Sequence, residues 1–326
     1  MSATVLAPIE AVCDDRLRAV VDRLVPLRYT AGAPAGEDLA GHVRSASAIR
    51  RLGTRLVVVQ DDTNALAVLD ADGGIRPLLL PRGPDGRRRF DDTRGNKHLK
   101  LDLEACAALP DGRLVAFGSG ASAARETLVV VEPDEAVRLV HAPGLYRNLR
   151  AETAFAGTEL NVEGAVVRGA ALLLFQRATG AAERGHVVNA VGTLPLGPFL
   201  DWLERGGEAP APSSVTPVEL GRIDGVRLGF TDAALLPDGR IAVLACAERS
   251  ADALSDGPVV GCRCGLLAGA ELRTTDVLDT EGRPTWLKLE GIEPGLKRGE
   301  LHVVADPDRP EDPSRLGRLR LQEAAR

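Results

Sequence analysis

The chain has 326 residues, 44% hydrophobic and 26% charged, with 35 Gly and 21 Pro, a composition that builds a full core broken by many turns and excludes fibrous, low-complexity and disordered classes. Forty Lys and Arg against 46 Asp and Glu leave a formal charge of −6, which argues against a general binder of nucleic acid or of an anionic membrane. The longest unbroken apolar run, Ile241 to Ala247, falls far short of the roughly 20 residues of a membrane-spanning helix.

Met1 to Glu10 lacks the charged and apolar regions of a secretion signal, and five Cys without a paired framework suit a reducing compartment, so a cytoplasmic protein is expected. From the N-terminus, Ile9, Val12, Leu17, Val20, Val21 and Leu24 recur at helical spacing and predict a short helix near 8–24. Beyond it one pattern returns: a polar or acidic residue, small apolar residues, a turn, then a dense apolar strand. The copies start at Ser47, Glu104, Glu163, Asp232 and Glu290, at spacings of 57, 59, 69 and 58 residues. Two turns share the tetrapeptide Pro-Asp-Gly-Arg, at Pro110–Arg113 and Pro237–Arg240, where Asp-Gly supplies the positive φ of a tight hairpin. Further apolar runs follow each hairpin, such as Leu66–Leu69, Leu128–Val131 and Gly261–Leu267.

Three or four strands per unit at a fixed period, with little helical spacing between them, predict an all-β, five-bladed β-propeller forming a single domain over residues 1–326 and closed by strands from both termini. A six-bladed ring with one degenerate blade in the spare terminal segments is the alternative. A second short helix is expected at Pro198–Arg205, and loops at Pro81–Asn96 and Gly206–Pro217. A closed ring with no long free edge predicts a monomer.

The first strand of each blade lines a propeller's channel, so Ser47, Glu104, Glu163, Asp232 and Glu290 are expected to face one another around the axis. Carboxylates converging in a narrow channel repel unless a cation or protons sit between them. Calcium, with its tolerance for six to eight oxygens, suits the set; the absence of Cys and His at this phase disfavours zinc.

These residues resemble those of the calcium-activated nucleotidase (apyrase) family. The likeness rests on Val59–Thr63, His98–Glu104, Asn148–Ala151, Gly229–Asp232 and Lys288–Glu293, in that order along the chain. It implies a five-bladed ring, one channel calcium held at Ser47, Glu104, Glu163, Asp232 and Glu290, and hydrolysis of nucleoside di- and triphosphates at the mouth. The chain departs from the family at Asp232, where the family has Ser, at Ala105, where it has an aromatic residue, and at Thr63–Ala65, where it has Arg-Thr-Gly.

Were that activity kept, Asp61 and Asp62 would position the attacking water, and Lys97, Lys100, Arg150, Arg177 and Lys288 would hold the oxygens of a phosphorylated small molecule. The reading taken is a calcium-binding propeller whose rim binds a small molecule or a protein. The alternative is a calcium-dependent hydrolase of nucleotides or other phosphate esters. Gly118-Ser-Gly120 lacks a nucleophile elbow and a partnered His, Cys262 and Cys264 are read as core, the five His show no ligand spacing, and Trp202 and Trp286 are read as packing residues.

Overall fold

A computed structural model describes residues 2–178, 187–249 and 257–324. The segment expected as a helix near 8–24 is instead extended, as strands β2 (Ile9–Cys13) and β3 (Leu17–Pro26), preceded by the short β1 (Thr4–Val5). Its apolar positions satisfy both periods. Pairing decides between them: Leu17, Ala19 and Val21 are buried in alternation with Arg18, and the β-branched Val residues fit a pleated surface.

Four-stranded antiparallel sheets follow. The first holds β4 (Ala46–Leu52), β5 (Arg55–Gln60), β6 (Ala65–Leu69) and β7 (Ile75–Leu79). The second holds β8 (Leu103–Ala108), β9 (Leu114–Gly118), β10 (Thr127–Val131) and β11 (Val137–His141). The third joins β12 (Val162–Arg168), β13 (Ala171–Gln176), β14 (Asn189–Pro195) and β15 (Ser214–Glu219). After the two-residue β16 (Arg222–Ile223), the fourth joins β17 (Val226–Leu235), β18 (Ile241–Glu248), β19 (Val259–Ala268) and β20 (Glu271–Leu278). The last takes β21 (Lys288–Pro294), β22 (Glu300–Asp306) and β23 (Arg315–Glu323) from the C-terminal end and β3 from the N-terminal end.

The arrangement is all-β and propeller-like. Each unit found in the sequence begins on the first strand of a sheet. These strands pack side by side, β4 on β8, β8 on β12, β12 on β17, β17 on β21, and β21 back on β4. Apolar residues collect between consecutive sheets. Val57 and Leu66 meet Leu114 and Val129 between the first two, Phe117 meets Leu174 between the second and third, and Ile49 and Val58 meet Val304 between the first and last. Outside, β2 pairs in parallel with both β15 and β20, and β3 with β20, so the N-terminal strands run along the outer edges of three sheets.

Helix α1 (Pro143–Ala151), which the sequence reading missed, opens with Pro at its first turn and buries Leu145, Tyr146 and Leu149. The short α2 (Thr153–Ala156) follows it, and α3 (Leu196–Arg205) contains the helix expected at Pro198–Arg205. The expected loop at Gly206–Pro217 ends early, because β15 starts at Ser214. Cys246 and Cys262, directly opposed on β18 and β19, form a disulfide, contrary to the expectation of unpaired cysteines; Cys264 is a buried thiol, as a core residue should be. No helix among the described residues is long and apolar enough to cross a membrane.

Candidate metal centre

The pairing of each first strand with its neighbour slips at one place: between Ala46 and Ala48, Leu103 and Ala105, Val162 and Gly164, Phe230 and Asp232, and Leu289 and Gly291. An extra residue in a ladder is unpaired and re-aims its side chain. The extra residues are Ser47, Glu104, Glu163, Thr231 and Glu290. Four were expected from the sequence. In the fourth sheet the position belongs to Thr231, one residue before the expected Asp232. The two hydroxyls behave alike: Ser47 Oγ donates to the carbonyl of Leu103 at 2.6 Å and Thr231 Oγ1 to that of Leu289 at 2.7 Å, each the residue just before the next sheet's Glu. With their protons committed to the backbone, both oxygens keep lone pairs for another donor or a cation.

Asp232 points into a different environment. Fully buried, its carboxylate takes both ends of the Arg50 guanidinium, at 2.9 and 2.7 Å, and the backbone N–H of Ile292 and Ala233. Arg50 also donates to the carbonyls of Ile49, Ile292, Ala165 and Ala233, tying four sheets together across the middle. Burial alone would lower the Arg50 pKa, but Asp232 beside it raises it above its ordinary value. Asp232 is therefore half of a structural ion pair and cannot serve the ring as expected.

Around the remaining carboxylates lies a dense charged network. Lys100 Nζ is 2.9 Å from Asp61 and 2.5 Å from Asp102, and Asp102 also receives Arg125 at 2.8 Å and the Ser119 hydroxyl. Asp102 has a φ of 54°, an unfavourable conformation for a residue with a Cβ, held by these partners. Burial pushes its pKa up, yet Lys100 and Arg125 outweigh burial and hold it below the ordinary range. Oxygen atoms of Asp61, Asp102 and Glu104 all lie within 4.8 Å of one another.

Glu163 accepts from Asn161 at 2.7 Å and from Arg177 at 3.2 Å, and Arg177 extends to Glu248 at 2.7 Å. Lys288 Nζ is 3.4 Å from Glu290 and 3.0 Å from Asp308. Glu290 is 4% exposed, and its Oε2 is buried with no hydrogen-bond partner among the described residues. Desolvation, and then the charges of neighbouring carboxylates, lift Glu104 and Asp306 well above their ordinary pKa values despite Lys100 and Lys288 respectively. Desolvation also raises Glu163 and, strongly, Glu290, against the opposing pull of Arg177 and Lys288.

Among the described residues of this network, the carboxyl groups of Asp61, Asp102, Glu104, Glu163, Glu248, Glu290 and Asp306 outnumber the cations Lys100, Arg125, Arg177 and Lys288. The cations lie deep: Lys100, Arg177 and Lys288 are 6%, 7% and 8% exposed. Of the described acidic groups, Asp61, Glu104 and Asp306 are partly exposed and Asp308 is exposed.

Of the phosphate-binding set expected from the sequence, Lys100, Arg177 and Lys288 converge on the ring, each paired with carboxylates. Lys97 pairs with Asp92 at 3.2 Å and Arg150 with Glu126 at 2.6 Å, outside this network. Of the expected catalytic pair, Asp61 faces Lys100, whereas Asp62 is held by Arg44 and by the Thr63 hydroxyl. The sequence reading missed Asp102, Ser119, Arg125, Glu248 and Asp306. Their regularity shows only in the pairing: Asp61, Ser119, Arg177 and Asp306 each come one residue after the second-strand residue that pairs just ahead of the bulge.

The fold and site define an all-β, propeller-like protein with an acidic mouth where its first strands meet. The chain belongs to the family of unknown function DUF6929, whose profile matches residues 42–321. No curated protein matches it. Among solved structures it is similar to a gluconolactonase from Xanthomonas campestris (13% identity, 93% of this chain and 97% of that one, TM-score 0.42). It is also similar to a virginiamycin B lyase from Staphylococcus aureus (10%, 93% and 99%, 0.36) and to a luciferin-regenerating enzyme (13%, 86% and 80%, 0.38). At these scores the likenesses carry no argument about this chain's chemistry.

Proposed function

We propose that the protein is a five-bladed β-propeller, closed by β3, that binds a divalent cation at the channel mouth. The cyclic packing of β4, β8, β12, β17 and β21 supports the ring, and the sharing of the last sheet between the two ends of the chain supports its closure. The observation that carries the cation is the group Asp61, Asp102 and Glu104, whose oxygens lie within 4.8 Å of one another, together with the bulge residue Glu290, whose buried Oε2 has no hydrogen-bond partner among the described residues. A buried carboxylate oxygen without a partner costs free energy that a cation would offset.

The donors are all oxygen and acidic, which favours calcium over zinc. Asp61, Asp102 and Glu104, with Glu163 and Glu290 beyond them, would hold the ion, which when bound would polarise a ligand oxygen. Lys100 neutralises part of the Asp61 and Asp102 charge, as Arg177 does for Glu163 and Lys288 for Glu290. The ring's own residues keep the acidic mouth fixed and orient whatever enters it.

A phosphate-ester hydrolase is the second reading, favoured by Asp61, whose side chain is 23% exposed beside Lys100 and within reach of water. Against it, the ring's cations are buried behind carboxylates that a phosphate would have to displace. Phosphate release from a panel of nucleotides and phosphate esters in calcium decides this reading.

The cation is tested by thermal unfolding of the whole protein in calcium, in magnesium and in chelator, with elemental analysis of the same sample. Calcium at 100 times its dissociation constant should stabilise by about 2.7 kcal/mol. Glu290→Gln should abolish that gain while leaving the chelated protein folded. No shift with either ion, together with no bound metal, overturns the proposal.

A further inference from the structure

The sequence assigned both tryptophans to packing. Trp202 keeps that role, with its ring centroid 5.9 Å from that of Phe199. Trp286 does not: it is 77% exposed. It stands two residues before Lys288, at the mouth end of β21, on backbone fixed from both sides. Thr285 is buried, its N–H bonds to the carbonyl of Val277, and its hydroxyl accepts the N–H of Leu287, which packs against the core between the last two sheets. An exposed indole on an anchored backbone is a rigid face offered to solvent at little entropic cost on binding.

What such a face would take follows from the groups around Lys288, two residues along: Asp306, opposite it on β22, and Asp308, 3.0 Å from its Nζ. Both meet solvent, and both carry carboxyl groups that bond to hydroxyls. The ring's cations lie beneath, already paired. Carboxyl groups in front of cations that are already paired suit a ligand rich in hydroxyls better than an anion. The face of an aromatic ring is negative, so it attracts the slightly positive C–H groups of a saturated ring laid flat on it.

We propose that Trp286 is the stacking platform for a neutral carbohydrate whose hydroxyls bond to the acidic mouth. This rests on the cation reading only in that the bound ion would share the sugar's hydroxyl oxygens. Stacking and carboxylate contacts are tested separately from it.

The test uses full-length protein carrying Trp202→Phe, so that Trp286 alone reports, in saturating calcium. The probes are neutral hexoses and their methyl glycosides, with inorganic phosphate as the contrasting ligand. A sugar should quench or blue-shift the emission saturably, and phosphate should not. By calorimetry on the protein with Trp202 intact, Trp286→Ala should weaken that sugar about tenfold, and Trp286→Phe less. The calcium-dependent rise in melting temperature should persist in both variants.

If no sugar in the panel gives a saturable signal while calcium still stabilises the protein, the carbohydrate inference falls and the cation reading stands. If phosphate binds in preference to every sugar, or Trp286→Ala leaves sugar affinity unchanged, the inference is overturned. If calcium gives no stabilisation but a sugar binds through Trp286, the cation reading fails and the stacking platform remains.

Discussion

Arg50 illustrates how one residue sets the character of the centre. It is fully enclosed, holds Asp232 through both guanidinium nitrogens, and reaches carbonyls of four sheets. Removing one partner of such a pair strands the other charge in a dry interior, which typically costs 3–5 kcal/mol, whereas replacing both by apolar residues costs far less. Asp232→Leu should therefore lower stability by about 3–5 kcal/mol in urea unfolding, and Arg50→Met/Asp232→Leu by clearly less than Asp232→Leu alone. The cysteines give a second test at this scale. Burial pushes the Cys106 and Cys264 thiols up to about 12. Mass spectrometry after alkylation should find one adduct on the native protein, at the exposed Cys13, and three on the unfolded, unreduced chain.

At the level of strands and turns, the mouth depends on backbones approaching closely. Gly118 ends β9 where a Cβ would meet the Arg125 carbonyl carbon at 2.9 Å and the Leu101 carbonyl oxygen at 2.9 Å. Both flank groups that hold Asp102, so Gly118→Ala must push the Lys100–Asp102 segment and Arg125 apart. We expect a loss of about 1–3 kcal/mol in thermal unfolding and a weakened calcium response. The first strands were legible because an acidic or hydroxyl residue followed by small apolar residues and a Gly turn recurs at nearly constant spacing. The bulge itself was not. Whether Thr231 or Asp232 is the extra residue depends on which of them the β18 ladder skips, and Gly229-Phe-Thr-Asp232 carries both polar side chains in adjacent positions. The N-terminal strands were misread because Ile9 to Leu24 fits two periods, and the strands that choose between them, β20 and β23, lie more than two hundred residues away. Trp286 was misread because a large apolar side chain is usually buried, and only the turn after β20 leaves it outside.

For the molecule as a whole, the acidic excess couples folding to proton concentration. Glu104, Glu290 and Asp306 have folded pKa values raised by desolvation, so between their ordinary range and those raised values the folded protein holds protons that the unfolded chain has released. Stability in chelator should fall as pH rises through that window and recover on acidification, until groups with lowered values, Asp102 among them, begin to protonate. Calcium should flatten the dependence at neutral pH, because the ion takes the place of the protons. Denaturant midpoints measured across pH with and without calcium check both slopes.

The last sheet has a further consequence during synthesis. Leu17 pairs with Glu323. β3 must wait, without its antiparallel neighbour, until β23 has been made. Sheets one to four can form in order behind it, but the apolar edge of β3 stays uncovered until then, a state in which nascent chains are prone to associate. The last sheet is complete only once β23 has been made, and a chain that stalls before Arg315 cannot complete it.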